Sequence, residues 1–321
     1  MRSLTLTRLV GIAPLLIFVA MLAYIGFNAP NFFTVTTADL VLKQSIPVVV
    51  VSLGLAIVVM AGGDDIVAGG IDLSIPSTAA LAASITALLV TNMNQPLIVG
   101  LLAALAAALA IGLVNALLVT RINMTPLLAT LASSVAIVGI ASVVTSSRRI
   151  NVTDPAIVFI RDGCILGISA DVVLVAILVF VAFHLIHRTR WGMNMQAVGG
   201  SRDAAEISGI PVKRFLFSSF VLAALAGWLA APFVLARGSG VSPGVEENLL
   251  IEMVLATFLG AAFSPRRVVT LWGAVLGAIL VAAVSIGFKS MGVNVFWTGL
   301  IKGSLILIVV ALAAVSSRTR T

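Results

Sequence analysis

The chain has 321 residues, of which 60% are apolar and only 10% carry a charge. Soluble globular proteins carry charge on about a quarter of their residues, so this composition excludes the soluble class and indicates an integral membrane protein. The formal net charge is +7, but the basic residues stand at the ends of apolar runs instead of clustering on one face. They therefore indicate orientation within membrane lipid and no nucleic-acid partner.

Apolar runs that approach or exceed the roughly 18 to 20 residues needed to cross a bilayer recur along the chain. They predict a single all-α polytopic membrane domain over residues 1–321 with about ten transmembrane helices. The predicted spans cover residues 9–27, 38–61, 72–90, 97–119, 126–146, 172–186, 215–236, 248–263, 268–288 and 295–315. The Ala-rich fourth span is expected to pack centrally, since small residues allow close helix approach. Pro47 is expected to kink the second span.

The orientation follows from the Lys and Arg residues in alternate loops, because cytoplasmic loops of membrane proteins are enriched in both. One side holds six of them: Lys43, Arg148, Arg149, Arg161, Arg237 and Lys289. The other side holds twelve: Arg2, Arg8, Arg121, Arg188, Arg190, Arg202, Lys213, Arg214, Arg266, Arg267, Arg318 and Arg320. Both termini and the loop at residues 188–214 are therefore predicted to be cytoplasmic.

The loop at residues 188–214 is the longest cytoplasmic interruption and contains signals for a short capped helix. Asp203 is predicted as the N-cap, with Glu206 closing a capping box, Gly209 at the left-handed C′ position and Pro211 ending the turn. A helix of one or two turns is marginal in water. Such complete capping therefore indicates docking against a partner. The predicted contact residues are Asp203, Ala204, Ala205, Glu206, Ile207, Ser208 and Gly209.

A glycine-rich and acidic stretch, MAGGDDIVAGGIDLSIPS at residues 60–77, separates the second and third spans. One interpretation is a break in the membrane helices that binds solute, because irregular backbone at membrane depth is tolerated only where protein or water surrounds it. The other is a cytoplasmic turn in which Asp72 or Ser74 caps the third span and Pro76 occupies its first turn. The sequence alone leaves both interpretations open.

A few polar side chains inside or beside the spans are candidates for a solute path. Lys302 is costly in hydrocarbon, so it is expected to face the bundle interior, a cavity or a cytoplasmic end. Glu252 has an alternative interpretation, as a carboxylate at the N-terminus of a helix, where the helix dipole favours a negative charge. The candidate path residues are Asp72, Ser74, Asn115, Asn294, Trp297 and Lys302.

Several kinds of chemistry are not indicated by the sequence. None of the four lysines follows a glycine, so the Walker A motif is absent and any ATP is expected to be bound by another chain. His184 and His187 have half of a metal-ligand spacing, without an accompanying carboxylate or thiolate, so no metal site is predicted. Cys164 is the single cysteine. We expect no cofactor in this chain and no catalytic residue.

Three segments together resemble one known family. They are GGIDLSIPS at residues 69–77, AVGGSRDAAEISGIPVKR at 197–214 and GVNVFWTGLIKGSLILIVVAL at 292–312. In this order they are similar to motifs of the permease subunits of bacterial binding-protein-dependent ABC importers of the ribose and galactose type. The resemblance covers about residues 11–313. It implies a multi-pass protein of the bacterial inner membrane that moves a monosaccharide or a similar small polar solute.

The resemblance also implies partners. Residues 203–209 would be the coupling helix, which sits in a groove of a separate subunit that binds and hydrolyses ATP. A periplasmic or extracellular solute-binding protein would deliver cargo at the opposite face, near Arg148, Arg149, Arg161 and the loop at 237–247. A second permease copy or a sister permease would complete a homodimer or a heterodimer.

Two segments depart from the family pattern. GGDDIVA at residues 62–68 enlarges the first glycine-rich loop, and GAAFSPRRVVTLWG at 260–273 replaces a segment that is normally rich in Gly-Gly pairs. The second change adds Arg266 and Arg267 on the cytoplasmic side, which puts the usual contact of that loop with the ATPase in doubt. It leaves open a heterodimer in which a sister permease has the usual form.

Two other functions remain alternatives at this point. A secondary transporter driven by an ion gradient would place the break at residues 60–77 and Lys302 at a midplane site. A membrane enzyme would use Asp64, Asp65 and Asp72 with a divalent ion. The absence of a basic phosphate-binding partner nearby argues against the enzyme.

Overall fold

The computed structural model describes residues 16–29, 32–63, 69–264, 268–294, 297, 299–305 and 307. Its first helix, α1, is Leu16–Asn28. The next helices in chain order are α2 (Val35–Gly62), α3 (Ile75–Ala87, continued by a π-helical turn at Leu88–Asn92), α4 (Leu97–Thr120), α5 (Pro126–Thr145), α6 (Pro155–Asp162) and α7 (Ala170–Arg188). They are followed by α8 (Arg190–Gly200), α9 (Arg202–Ile207), α10 (Val212–Gly238), α11 (Val245–Gly260, with a 3₁₀ turn at Ala261–Phe263) and α12 (Leu271–Ser290). Residues 299–305 form α13.

The all-α, multi-pass prediction is confirmed, whereas the number of spans stays a prediction. Seven of the described helices are long and apolar enough to cross a membrane: α2, α3 with its π-helical turn, α4, α5, α7, α10 and α12. The other three predicted spans correspond to shorter described helices, namely α1, α11 and α13. Residues 1–15 and 308–321 lie outside the described part. The cytoplasmic location of both termini therefore stays a prediction.

Helices α2 and α10 form the centre of the bundle. The most apolar 18-residue window of α2 is 94% buried, and that of α10 is 67% buried. Helix α2 packs against α10, α12, α11, α7 and α8, and α10 also packs against α4 and α3. Pro47 lies inside α2, which continues past it as one helix over 28 residues.

The Ala-rich α4 is peripheral, so the prediction of a central position was wrong. Only 22% of its apolar window is buried. Its small buried residues recur at every fourth position, at Gly100, Ala104, Ala108, Gly112 and Ala116. This single stripe packs closely, and an added Cβ atom at Gly112 would lie 2.8 Å from the Cβ of Ala224 in α10. The small residues therefore give α4 one closely packed stripe, against α10 and α3, and its other faces are largely exposed.

Short strands join the loops at one end of the bundle. Strand β1 (Ile150–Asn151) pairs antiparallel with β4 (Gly240–Val241), and β2 (Cys164–Ile165) pairs with β3 (Ile168–Ser169). The polar segment at residues 147–170 thus contains α6 and strands that the sequence did not predict. We call this end the hairpin end, and the opposite end, which carries α8 and α9, the α8–α9 end.

Close contacts between helices should make some glycines irreplaceable. An added Cβ atom at Gly277 in α12 would overlap the carbonyl oxygen of Ala256 in α11, whereas no atom lies within 4 Å of an added Cβ at Gly139 in α5. We expect Gly277→Ala to lower stability by about 1–3 kcal/mol or more through overpacking. Gly139→Ala should leave it unchanged or raise it slightly, since alanine favours helix. Thermal unfolding of the detergent-purified variants measures both, and equal midpoints would contradict this packing.

Candidate functional site

The loop at residues 188–214 contains two helices where the sequence predicted one. Helix α8 begins after the N-cap Thr189, whose hydroxyl accepts a hydrogen bond of 3.1 Å from the backbone N–H of Gly192. Its buried residues Gly192, Met195 and Val198 recur at every third position. The sequence carries only two signals for α8, the three-residue spacing of its buried positions and the capping threonine. Both lie in a polar segment whose composition predicts a loop, so the helix was not predicted.

Helix α9 is capped as predicted at its end and differently at its start. Ser201, and not Asp203, is the N-cap: its backbone is extended and its Oγ accepts a hydrogen bond of 3.3 Å from the N–H of Ala204. Asp203 lies in the first turn instead. Gly209 has φ +78°, and the N–H groups of Gly209 and Ile210 bond to the carbonyls of Glu206 and Ala205, each at 2.9 Å. The predicted left-handed C′ glycine is therefore confirmed.

Most of α9 is exposed. Of the seven predicted contact residues, only Ala205 is buried, whereas Asp203, Ala204, Glu206, Ile207, Ser208 and Gly209 are exposed. Ile207 is 89% exposed although it is apolar. The helix therefore presents an outward face in which one large apolar side chain stands among polar ones.

Two contacts fix α8 and α9 to the bundle. An added Cβ atom at Gly199 would overlap the carbonyl oxygen of Met60, so α8 touches the end of α2 backbone to backbone. An Nη atom of Arg202 donates a hydrogen bond of 2.8 Å to the carbonyl of Gly62, the last residue of α2. The α8–α9 segment is therefore linked directly to the end of α2.

A non-helical segment, residues 69–74, which we call the strap, returns from the end of α2 to the start of α3. An added Cβ atom at Gly62 would overlap the backbone N and Cα of Gly70, so the strap lies directly on α2. Gly69, Gly70, Ile71 and Asp72 are buried. The backbone N–H of Leu73 donates a hydrogen bond of 3.1 Å to Oγ1 of Thr130 in α5.

Three of the six candidate path residues meet at the strap as a polar network of Asp72, Ser74 and Asn115. The Asn115 amide donates to Oγ of Ser74 at 2.8 Å. The Ser74 hydroxyl and backbone N–H donate to Oδ1 of Asp72 at 2.6 and 2.8 Å. Each of the three side chains is at most 1% exposed. Asn115 lies five residues before the end of α4, about 7 Å along the helix.

This arrangement corrects one part of the capped-turn interpretation of residues 60–77. Ser74 is the N-cap of α3 by position, and Pro76 lies in the first turn, but no side chain caps the helix. Asp72 binds Ser74 instead. The strap is thus irregular backbone buried in protein, and the interpretation as a simple capped turn was wrong in this respect. Asp64 and Asp65 lie outside the described residues.

The other three candidate path residues lie near the start of α13. Lys302 Nζ is 2.6 Å from Oε1 of Glu252, and the two side chains are 14% and 8% exposed. Lys302 therefore faces the bundle interior, as expected. Glu252 is the eighth residue of α11, so the alternative of a helix N-terminal carboxylate was wrong. Asn294 and Trp297 are exposed.

Charged groups also collect at the hairpin end. Arg149 donates hydrogen bonds to Oγ of Ser242 at 2.8 Å and to the carbonyl of Gly238, and Arg161 donates to Oγ of Ser239 at 2.7 Å. The structure thus brings the predicted outer arginines and the loop at 237–247 together. The Arg161 guanidinium also holds the pKa of the exposed Asp162 carboxyl below its usual range, by a hydrogen bond.

A cavity of about 210 Å³ opens at this end beside α2. Its charged lining residues are Lys43, Arg161, Asp171 and Arg237. Within the described residues, no group of three or more His, Cys, Asp or Glu side chains could hold a metal ion. The His187 ring packs on Phe183 with ring centroids 4.6 Å apart, and Cys164 is an exposed thiol in β2.

The Glu252–Lys302 ion pair should respond differently to single and double substitution. Lys302→Met would leave a buried carboxylate unpaired, so we expect a loss of about 3 kcal/mol in stability. The double variant Glu252→Met with Lys302→Met should recover most of it, because apolar side chains of similar size replace both charges. Lys289→Met, at an exposed lysine of α12, is the control and should change little. Thermal unfolding measures the cycle, and additive losses would contradict the coupling.

Comparison with known proteins supports the resemblance seen in the sequence. The model of the family described as the branched-chain amino acid transport system permease component matches residues 37–310. A probable ABC transporter permease protein of Sinorhizobium fredii is 28% identical over 307 residues, which cover 94% of this chain and 88% of the relative. The ribose import permease of Escherichia coli K12 is 27% identical over 92% of this chain and 91% of the relative.

The galactose/methyl galactoside import permease of Haemophilus influenzae is 26% identical over 91% of this chain and 90% of the relative. No solved structure matches the chain. These matches do not favour a transporter driven by an ion gradient, and they contradict the interpretation of Asp64, Asp65 and Asp72 as an enzyme site. The chain is a multi-pass membrane protein that belongs to the family of branched-chain amino acid transport system permease components, and it is a transport subunit and not an enzyme.

Proposed function

We propose that this chain forms the translocation path for a monosaccharide in an importer of the bacterial inner membrane, driven by a separate ATP-binding subunit. The family model is named for branched-chain amino acids, but two of the relatives that match more than 90% of the chain are named for ribose and galactose. Membership in such importers implies an ATP-binding subunit and a substrate-binding protein as partners. Sugar is therefore the solute class that the comparisons favour.

The exposed face of α9 is the observation that supports ATPase docking most directly. A six-residue helix is too short to be stable by itself, yet α9 has a complete cap at each end and shows Ile207 to the outside. Apolar side chains that stand alone in a polar rim often anchor a partner. Because α9 is fixed to α2 through Arg202 and Gly199, movement of a bound ATPase would reach the centre of the bundle.

The remaining partners follow from the two ends of the bundle. With the α8–α9 end in the cytoplasm, the hairpin end faces outward, and the region of Arg148, Arg149 and Arg161 would receive the solute-binding protein. A second copy or a sister permease would complete the path. The departure at residues 260–273 favours a sister permease, although Arg266 and Arg267 lie outside the described residues.

For the solute path, we propose Trp297, Asn294 and Lys302 as the residues nearest to the solute. An indole face stacks on sugar rings, and amide and ammonium groups donate to hydroxyls. Trp297 is 60% exposed in the single chain. Asp72, Ser74 and Asn115 are covered in this conformation, so contact between them and solute would require α4 to separate from the strap.

Substitution at the tip of α9 tests the docking. Ile207→Asp should leave membrane insertion intact, because the side chain is 89% exposed, but it should reduce co-purification of the ATPase and ATP-driven uptake by tenfold or more. Leu166→Asp is the matched control for ATPase co-purification and should not reduce it, since Leu166 is 99% exposed at the opposite, hairpin end. Uptake of labelled ribose, galactose and leucine into vesicles containing the whole complex measures both variants and the solute class.

Three results would contradict the proposal. Uptake by the purified chain without ATP would indicate a gradient-driven transporter. An Ile207→Asp variant with normal ATPase binding would remove α9 as the docking site. Uptake of leucine but not of sugars would replace the solute class while leaving the docking intact.

A further inference from the structure

The polar network at the strap combines oxygen atoms that lack partners. The Oδ1 atom of Asn115 is buried and accepts no hydrogen bond from any described residue. The backbone carbonyl oxygens of residues 69–73 also accept no hydrogen bond from the described part of the chain. Buried polar groups in native proteins nearly always have a partner, so the buried Oδ1 of Asn115 indicates a missing donor or cation beside it.

The buried charge of Asp72 also indicates a missing group at the strap. Asp72 is 1% exposed, and no Lys, Arg or His side chain among the described residues forms an ion pair with it. The N–H and the hydroxyl of Ser74 both donate to the same carboxylate oxygen of Asp72, Oδ1. An isolated buried carboxylate is strongly unfavourable unless a positive charge or a proton neutralises it.

We propose that a sodium ion binds at the strap, held by the Asp72 carboxylate, Oδ1 of Asn115 and backbone carbonyl oxygens of residues 69–73. All of these donors are hard oxygen ligands, which alkali and alkaline-earth cations prefer over transition metals. Only one of them carries a charge. A monovalent ion balances that charge, whereas a divalent ion would leave a net positive charge in apolar surroundings.

The local backbone fits a small cation better than a bulky group. Unwound segments between membrane helices are known to offer carbonyl oxygens to sodium, and residues 69–74 are such a segment. The strap lies against α2 with no room for a Cβ atom at Gly62 or Gly70. The ion would join the strap to α4, near the α8–α9 end of the bundle. This role is structural and does not depend on the solute.

Thermal unfolding of the full-length purified protein tests the site. Midpoints are measured in NaCl and in choline chloride at equal ionic strength. We expect sodium to raise the midpoint by about 3 °C for each tenfold increase above its dissociation constant. Asp72→Asn and Asn115→Leu should abolish the sodium-specific rise. Ser77→Ala should retain it, because Ser77 is equally buried near the strap but its hydroxyl pairs with Ser134 at 2.6 Å.

Two outcomes would overturn the proposal. Equal midpoints in sodium and choline would show that the site is neutralised by a proton or by water. A sodium-specific rise that persists in Asp72→Asn would place the ion elsewhere. Since the first comparison uses the unsubstituted protein, it decides the question even where a variant fails to fold. Neither outcome depends on whether the complex transports sugar.

Discussion

The structure depends on one constraint, which is that backbone polar groups removed from water need partners inside the protein. Helices meet this constraint internally, and that explains why most of the described chain between Val35 and Ser290 is helical. The strap is an irregular segment that is buried within the protein. Thr130 of α5 accepts from its Leu73 N–H, and Ser74 donates to its Asp72 carboxylate, so neighbouring groups supply part of what the irregular backbone lacks. A segment that needs so many neighbours is sensitive to any movement of them.

Close backbone contacts connect α8 and the strap to the centre of the bundle. Helix α8 touches α2 at Gly199, and the strap touches α2 at Gly62, so the last turn of α2 is held from two sides. Hydrocarbon offers no hydrophobic driving force between helices, and contacts between small residues then carry much of the association. Helices α8 and α9, the last turn of α2 and the polar network thus form one continuous packed unit.

The sequence predicted the features that depend on local composition. Hydropathy located the spans, and Gly209 was identified because only a residue tolerant of positive φ fits that turn. Features that are set by tertiary contacts could not be predicted from the sequence. Ser201 and Asp203 are both good capping residues, and packing of α8 selected the first. The partners Glu252 and Lys302 are 50 residues apart, so no spacing pattern relates them. The position of α4 was misjudged because composition does not show that its small residues share one stripe.

Pro47 gives helix α2 a position at which the long helix bends most easily. At 28 residues, α2 is about 42 Å long, enough to join both surfaces of the bilayer as a single stiff rod. A proline lacks the N–H that would bond one turn back, so bending is least costly at that position, in the half of α2 toward the hairpin end. Two cavities, of about 420 and 210 Å³, adjoin this position at Ile46. A push on α2 at the α8–α9 end would therefore tilt the part beyond Pro47 toward these cavities instead of compressing the bundle.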